Sequence, residues 1–217
     1  MKLLRKNSAS ALSRVEVLMI VAVAGFLFCL GLLWLRDART RARSICCNCN
    51  LKQVGLAFRV WAGDHKEKYP TQVSITNGGV MELNVKGDVF PVFQVMSNEL
   101  NTPYILVCPE DSTRFPAKSF ATNFDDSKIS YFVGLDASDS MPQMFLTGDR
   151  NLATNGVSVL RGILELTTNQ IAGWTQEIHK NQGNVGMADG SVQGFSNRAL
   201  NEALQNTGVT TNRLAIP

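Results

Sequence analysis

The sequence predicts an α+β protein, a long N-terminal helix whose second half packs on a small antiparallel sheet. Three observations lead there. Residues 17–35 form an apolar run of about 19 residues, enough to cross a bilayer as a helix. Leu51, Val54, Phe58 and Trp61 then recur at spacings of three and four, which is one face of a helix. After Pro70 the chain changes to short apolar segments divided by Asn, Gly, Asp and Ser, the punctuation of turns.

No proline interrupts residues 1–69, and Gly63 followed by Pro70 is a plausible stop. One helix is therefore expected from about Arg14 to Ala62. The division that follows is residues 1–11 as a leader, 12–35 as the membrane half of the helix, 36–62 as its soluble half and 63–217 as a folded domain. A cleavable secretory signal is the competing reading of the start. Its apolar core is usually about 7–15 residues with small residues after it. Here the run is longer, and Arg36, Arg39, Arg41 and Arg43 follow, which favours a retained helix. Lys2, Arg5, Lys6 and Arg14 lie on the other side. The positive-inside comparison is nearly balanced and does not orient the helix.

Glu16 stands immediately before the apolar run. A carboxylate costs roughly 2.5–3.5 kcal/mol toward the centre of a membrane helix and less near its end. Such a group calls for a partner, and a positive charge on a neighbouring subunit is the obvious one. Glu16 thus points to assembly in the plane of the membrane, against the simpler reading of an interfacial charge solvated by headgroups.

In the folded domain, residues 88–96, 104–108, 129–133 and 144–146 read as short extended or buried segments. Pro91 demotes the first to an edge strand or a non-strand. Asp189-Gly190, between apolar-bearing flanks, predicts a two-residue hairpin with positive φ at both turn positions. A short helix follows from Asn197, with Ala199, Leu200, Ala203 and Leu204 on one face. No internal repeat is visible.

Composition excludes more than it selects. The charged fraction is 18% and the net charge +3, with much of the positive charge around the membrane run. No basic stripe argues for nucleic acid. Five cysteines are too few for a disulfide-dense scaffold. No nucleophile elbow, phosphate loop or zinc-protease motif is present, so an enzyme is not expected. Cys46-Cys47-Asn-Cys49 holds a Cys-x-x-Cys, weak evidence for zinc or redox chemistry without a second pair nearby. Cys29 lies in the membrane run and reads as a small apolar residue.

Three segments together resemble bacterial type IV prepilins and type II secretion pseudopilins. The first is Ala11-Leu-Ser-Arg-Val-Glu16 with the apolar run behind it, similar to the family's processing site. The second is Cys47-Asn-Cys-Asn-Leu-Lys-Gln-Val-Gly-Leu-Ala57, continued by residues 61–70. The third is His179-Lys-Asn-Gln-Gly-Asn-Val-Gly-Met-Ala-Asp-Gly190, which resembles pilin-like proteins carrying a His, nine residues, then Asp-Gly. Val107-Cys-Pro109 and Thr147-Gly-Asp-Arg-Asn151 also look like pieces of that family. Two residues depart from the processing pattern. Ala11 stands where Gly is usual, and Arg14 where an apolar residue is usual. Arg14 at the lipid edge can snorkel to the headgroups or pair with Glu16.

The resemblance implies a pilin-like fold and a structural role. A prepilin peptidase would cut between Ala11 and Leu12 and leave Leu12 as a methylated N-terminus. The protein would be a single-pass bacterial inner-membrane subunit with an extracytoplasmic C-terminal domain. It would assemble with like or related pilin-type subunits on an inner-membrane platform, and Glu16 would neutralise a neighbour's terminal amine. A Cys47–Cys108 disulfide would suit that compartment, with Cys46 and Cys49 as competing partners. Pseudopilins often bind calcium through a C-terminal loop, which makes Asp189 a candidate ligand, against the ordinary role of Asp in a turn. His179 is expected to hydrogen-bond a hairpin carbonyl or Asp189 rather than bind a metal, because the chain has only two histidines. The alternative of a different class is a membrane-tethered binding or sensor domain that never polymerises.

Overall fold

The computed structural model describes residues 13–217. The expected leader and the Ala11–Leu12 processing position lie outside them. The first compact unit reaches to Ala42, and the second is Arg43–Pro217. Helix α1, Arg14–Asp64, contributes to both.

In the first unit the helix carries an apolar span, Arg14–Leu32, long and apolar enough to cross a membrane, and none of it is buried. Leu18, Met19, Phe26 and Phe28 are each more than 60% exposed. Water does not favour such a surface, and contiguous apolar exposure of this kind marks a membrane or protein contact. The helix begins on a capping box. Ser13 N donates to the Glu16 carboxylate at 2.7 Å, and Glu16 N donates to Ser13 Oγ at 3.3 Å. These bonds satisfy amides that a helix start otherwise leaves unpaired.

In the second unit α1 buries Cys47, Leu51, Val54, Phe58, Trp61 and Ala62, the stripe expected from the spacing. Phe58 meets Tyr69 and Phe93 edge-on, with centroids 5.7 and 6.1 Å apart. His65 stacks on Trp61, and its Nδ1 lies 2.8 Å from the Trp61 carbonyl.

Two short helices follow, α2 (Phe90–Val95) and α3 (Ser97–Leu100). Of the readings open to residues 88–96, extended or buried, with Pro91 making an edge strand or a non-strand, the structure takes the buried non-strand one. Pro91 sits in the first turn of α2, where a missing N–H costs nothing. The buried carboxylate of Asp126 accepts from Val89 N at 3.0 Å and Phe90 N at 2.8 Å, capping the helix from far along the chain. Residues 104–108 are buried from Leu106 on but are not a strand. A 3-10 turn, Pro103–Leu106, delivers Cys108 instead of a strand.

The strands among the described residues are β1 (Tyr131–Gly134), β2 (Phe145–Asp149), β3 (Leu152–Thr154), β4 (Val157–Ser158), β5 (Gly162–Thr167), β6 (Ala172–Trp174), β7 (Gln182–Met187), β8 (Val192–Ser196) and β9 (Thr211–Ile216). Helix α4, Asn197–Gln205, precedes β9 and buries Leu200 and Leu204 as expected. A six-stranded antiparallel sheet has the order β5-β9-β1-β2-β7-β8, and a three-stranded sheet the order β4-β3-β6.

Alternation along the central strands feeds two cores. Tyr131, Val133 and Leu146 join the α1 stripe. Phe132, Phe145 and Val185 face the other way, onto Trp174, Leu200 and Leu204. Side chains one residue apart on a strand point to opposite faces, so each central strand serves both cores. The first of the two cores holds the site described next.

Candidate functional site

Four side chains from four separate segments converge beneath α1. Cys47 comes from the helix and Cys108 from the loop after the 3-10 turn. Asp149 ends β2, and His179 comes from the loop before β7. Their ligand-type atoms all lie within 4.8 Å of one another, and no other such group of His, Cys, Asp and Glu occurs among the described residues. Cys47, Cys108 and Asp149 are fully buried, and the His179 side chain is 8% exposed.

Three consecutive residues after Gly148 hold this arrangement. Asp149 enters the cluster itself. Arg150 turns to the Cys108 loop and clamps Asp111 through Nε at 2.8 Å and Nη2 at 3.0 Å. Asp111 N in turn donates to the Cys108 carbonyl at 2.9 Å. Asn151 serves the His179 loop, with Nδ2 at 3.1 Å from the Thr175 carbonyl and 2.9 Å from that of Ile178. That loop is strained: His179, Lys180 and Asn181 have φ of 54°, 52° and 64°. Three successive non-glycine residues in the left-handed region persist only where their surroundings enforce it.

Inside the cluster, Cys47 Sγ lies 3.3 Å from Asp149 Oδ1, and Cys108 Sγ lies 3.3 Å from His179 Nε2. His179 Nε2 is 3.5 Å from Asp149 Oδ2. Around these sit donors and a hydroxyl. Asn184 gives Asp149 Oδ2 its backbone N–H at 2.6 Å and its Nδ2 at 3.0 Å. Asn184 Nδ2 also lies 3.7 Å from Cys47 Sγ, and Tyr131 Oη lies 3.6 Å from it.

Proton affinities follow from this packing. A hydrogen bond from Cys47, with help from His179, pulls the Cys108 thiol down to about 7 against the effect of burial. Cys47 moves up, through that same bond to Cys108, burial and the charge of Asp149. Burial raises Asp149 despite the neighbouring His179. Burial opposes a charged His179, but Cys108 and Asp149 outweigh it and raise its pKa. Cys108 is thus the more readily ionised of the two thiols, beside a histidine that holds its proton more firmly than usual.

The sequence-predicted residues divide. Cys47 and Cys108 are brought together, but both are free thiols, so the expected bridge is not formed. Each sulfur is instead engaged by Asp149 or His179. Cys46 and Cys49 are exposed, away from the cluster. His179 bonds neither a hairpin carbonyl nor Asp189; its left-handed loop turns it toward Cys108. The hairpin is placed correctly but built differently. Gly190 N donates to Met187 O at 2.9 Å and Met187 N to Ser191 O at 2.8 Å. Gly190 has φ of 85°, and Asp189 is not in the positive-φ region. This is the three-residue loop with a glycine bulge, not the two-residue turn.

Asp189 does not fit calcium. Its carboxylate accepts Ser191 N at 2.8 Å, and its carbonyl already receives Arg59 Nη1 at 2.8 Å. A calcium site needs six to eight oxygens, and here a guanidinium already takes the carbonyl oxygen. Sequence reasoning missed Asp149, Tyr131, Asn151 and Asn184. Residues 147–151 stood out in the sequence only as a stretch resembling the family, whereas residues 147–149 belong to β2.

Compared with known protein families, curated proteins and solved structures, the chain shows no significant match to any of them.

Proposed function

We propose that the chain is a membrane-anchored structural subunit of a pilin-like filament, of the type II secretion or type IV pilus kind. The observation that carries this reading is helix α1. It joins an apolar, wholly exposed span with a carboxylate at its front edge to an amphipathic half buried in a folded domain. A membrane anchor needs the span but no neighbouring charge for the carboxylate. A polymerising helix uses both, because a neighbour's terminal amine would remove most of the cost of burying Glu16. In this reading the domain of residues 43–217 lies outside the inner membrane. A prepilin peptidase cuts between Ala11 and Leu12, and pilin-type subunits with an inner-membrane platform are the partners. No catalytic role is assigned.

One observation favours a second reading. The Ser13–Glu16 capping box already gives the carboxylate a use within its own helix. A tethered domain that never polymerises would need nothing more. Mass spectrometry of the membrane-extracted protein separates the first step. The filament reading expects a chain that starts at N-methylated Leu12. A chain retaining Met1 or Lys2 would reject it.

A further inference from the structure

We propose that Cys47, Cys108, Asp149 and His179 form a closed structural zinc site that ties α1 to the sheet and to both loops beside it. The spacing of the four side chains carries the inference. Zinc binds sulfur at about 2.3 Å and nitrogen or oxygen at about 2.0–2.2 Å, in tetrahedral geometry. The edges of such a tetrahedron are about 1.6 times the bond length, or about 3.3–3.8 Å. Three contacts fall in that range, Cys47 Sγ–Asp149 Oδ1 at 3.3 Å, Cys108 Sγ–His179 Nε2 at 3.3 Å and, to the other carboxylate oxygen, His179 Nε2–Asp149 Oδ2 at 3.5 Å, and one ligand atom from each residue lies within 4.8 Å of all the others, so small side-chain adjustments close the tetrahedron. Two sulfurs, an imidazole and a carboxylate suit zinc better than calcium or magnesium, which take oxygen ligands.

The surroundings agree with this assignment. Binding displaces to solvent whatever protons the two sulfurs, the carboxylate and the imidazole carry, so the dication meets two thiolates, one carboxylate and a neutral imidazole. The filled site carries one net negative charge. Asn184 N–H and Nδ2 donate to Asp149, and Tyr131 Oη sits beside Cys47, which is how outer groups orient ligands and disperse such charge. With all four positions supplied by protein and three of the four residues fully buried, no open position remains, so the site is structural rather than catalytic. The left-handed turn at His179–Asn181 holds the imidazole at the cluster, a strained placement that a metal bond would offset.

The test uses the full chain, extracted in detergent with thiols protected. Zinc analysis should return about one metal per chain. After zinc removal under reducing conditions, cobalt(II) should give the intense visible bands of tetrahedral cobalt and a near-ultraviolet thiolate charge-transfer band. Cys108→Ser should lose both signals, and Cys46→Ser should keep both. Should Cys108→Ser fail to fold, His179→Cys still decides. It rebuilds the site with three sulfurs, so tetrahedral cobalt should persist with the charge-transfer band raised by about half. The proposal is overturned if the reduced wild type binds cobalt only weakly and octahedrally, or if His179→Cys leaves the charge-transfer band unchanged. Recovery of Cys47 and Cys108 as one disulfide-linked peptide from thiol-blocked protein would overturn it as well. None of these results bears on the mature N-terminus, so this inference and the filament reading fail separately.

Discussion

Arg150 grips Asp111 with two nitrogens, Nε on Oδ2 at 2.8 Å and Nη2 on Oδ1 at 3.0 Å, and thereby fixes the turn that begins at Cys108. The Asp111 side chain is 1% exposed and also accepts from Ser130 Oγ at 2.9 Å. A buried pair broken on one side leaves an uncompensated charge, which typically costs about 3–5 kcal/mol. Arg150→Ala should therefore lower the melting temperature of the detergent-solubilised chain sharply. Asp111→Asn with Arg150→Met, which removes both charges, should recover part of the loss.

The same pair gives a pH dependence. Burial alone would raise the Asp111 pKa, but Arg150, Thr113 and Ser130 outweigh it and hold it below the usual value. A carboxylate depressed in the folded state contributes stability above its unfolded value, about 3.9, and loses it as pH falls through the folded value. Wild-type stability should fall on acidification below about pH 4. Asp111→Asn should be less stable at neutral pH and show a shallower acid slope. Parallel acid curves for the two proteins would show that Asp111 is not the group responsible.

Asn151 gives the corresponding prediction for the histidine loop. Its amide faces the carbonyls of Thr175, Ile178 and Gln182. Removing a donor from buried acceptors costs about 1–3 kcal/mol, and here the loss falls on a segment already strained. Asn151→Ala should raise amide hydrogen exchange across residues 175–182 far more than in the α1 half of the core. A uniform change over the whole domain would show that Asn151 acts globally instead.

What the sequence disclosed and what it hid have physical reasons. The buried stripe of α1 and the face of α4 rest on spacings within one element, so periodicity revealed them, and the Asp189-Gly190 dipeptide marked the turn of the β7–β8 hairpin. Helix α2 depends on Asp126 capping Phe90 across the fold, which no local pattern encodes. Gly148-Asp149 has the composition of a turn, yet Gly148 lies in β2 against the ring of Phe132. A Cβ there would come within 2.7 Å of that ring. The cluster was half visible. Cys47, Cys108 and His179 could be singled out as residues, but their meeting depends on which strand lies under α1. Asp149 is one aspartate among many until β2 places it.

The hairpin tip is open to a direct check. Gly190 has φ of 85°, and an added Cβ would meet Arg59 Cδ at 3.1 Å. Gly190→Val puts a β-branched residue where the backbone disfavours any side chain. The loss should exceed about 1 kcal/mol, beyond the usual entropy effect of replacing a glycine. Arg59→Ala in the same background tests whether the clash adds to it. If the clash matters, relief should raise the melting temperature of the Gly190→Val chain. An unchanged melting temperature for Gly190→Val itself would mean that this glycine does not need its left-handed conformation.

Glu16 has two uses in prospect, and one pair of substitutions separates them. Within the helix it accepts Ser13 N at 2.7 Å, and a glutamine at this position can do the same. A cut between Ala11 and Leu12 leaves the Ser13 amide intact, so the cap survives processing. Glu16→Gln therefore keeps the cap and removes the charge, whereas Glu16→Ala removes both. If Glu16 neutralises a neighbour's terminal amine, wild type should give a ladder of crosslinked subunits in membranes and both variants should lose it. If the cap is its whole role, Glu16→Gln should crosslink like wild type, and only Glu16→Ala should fray the start of α1. That second pattern would leave the filament reading without its assembly contact.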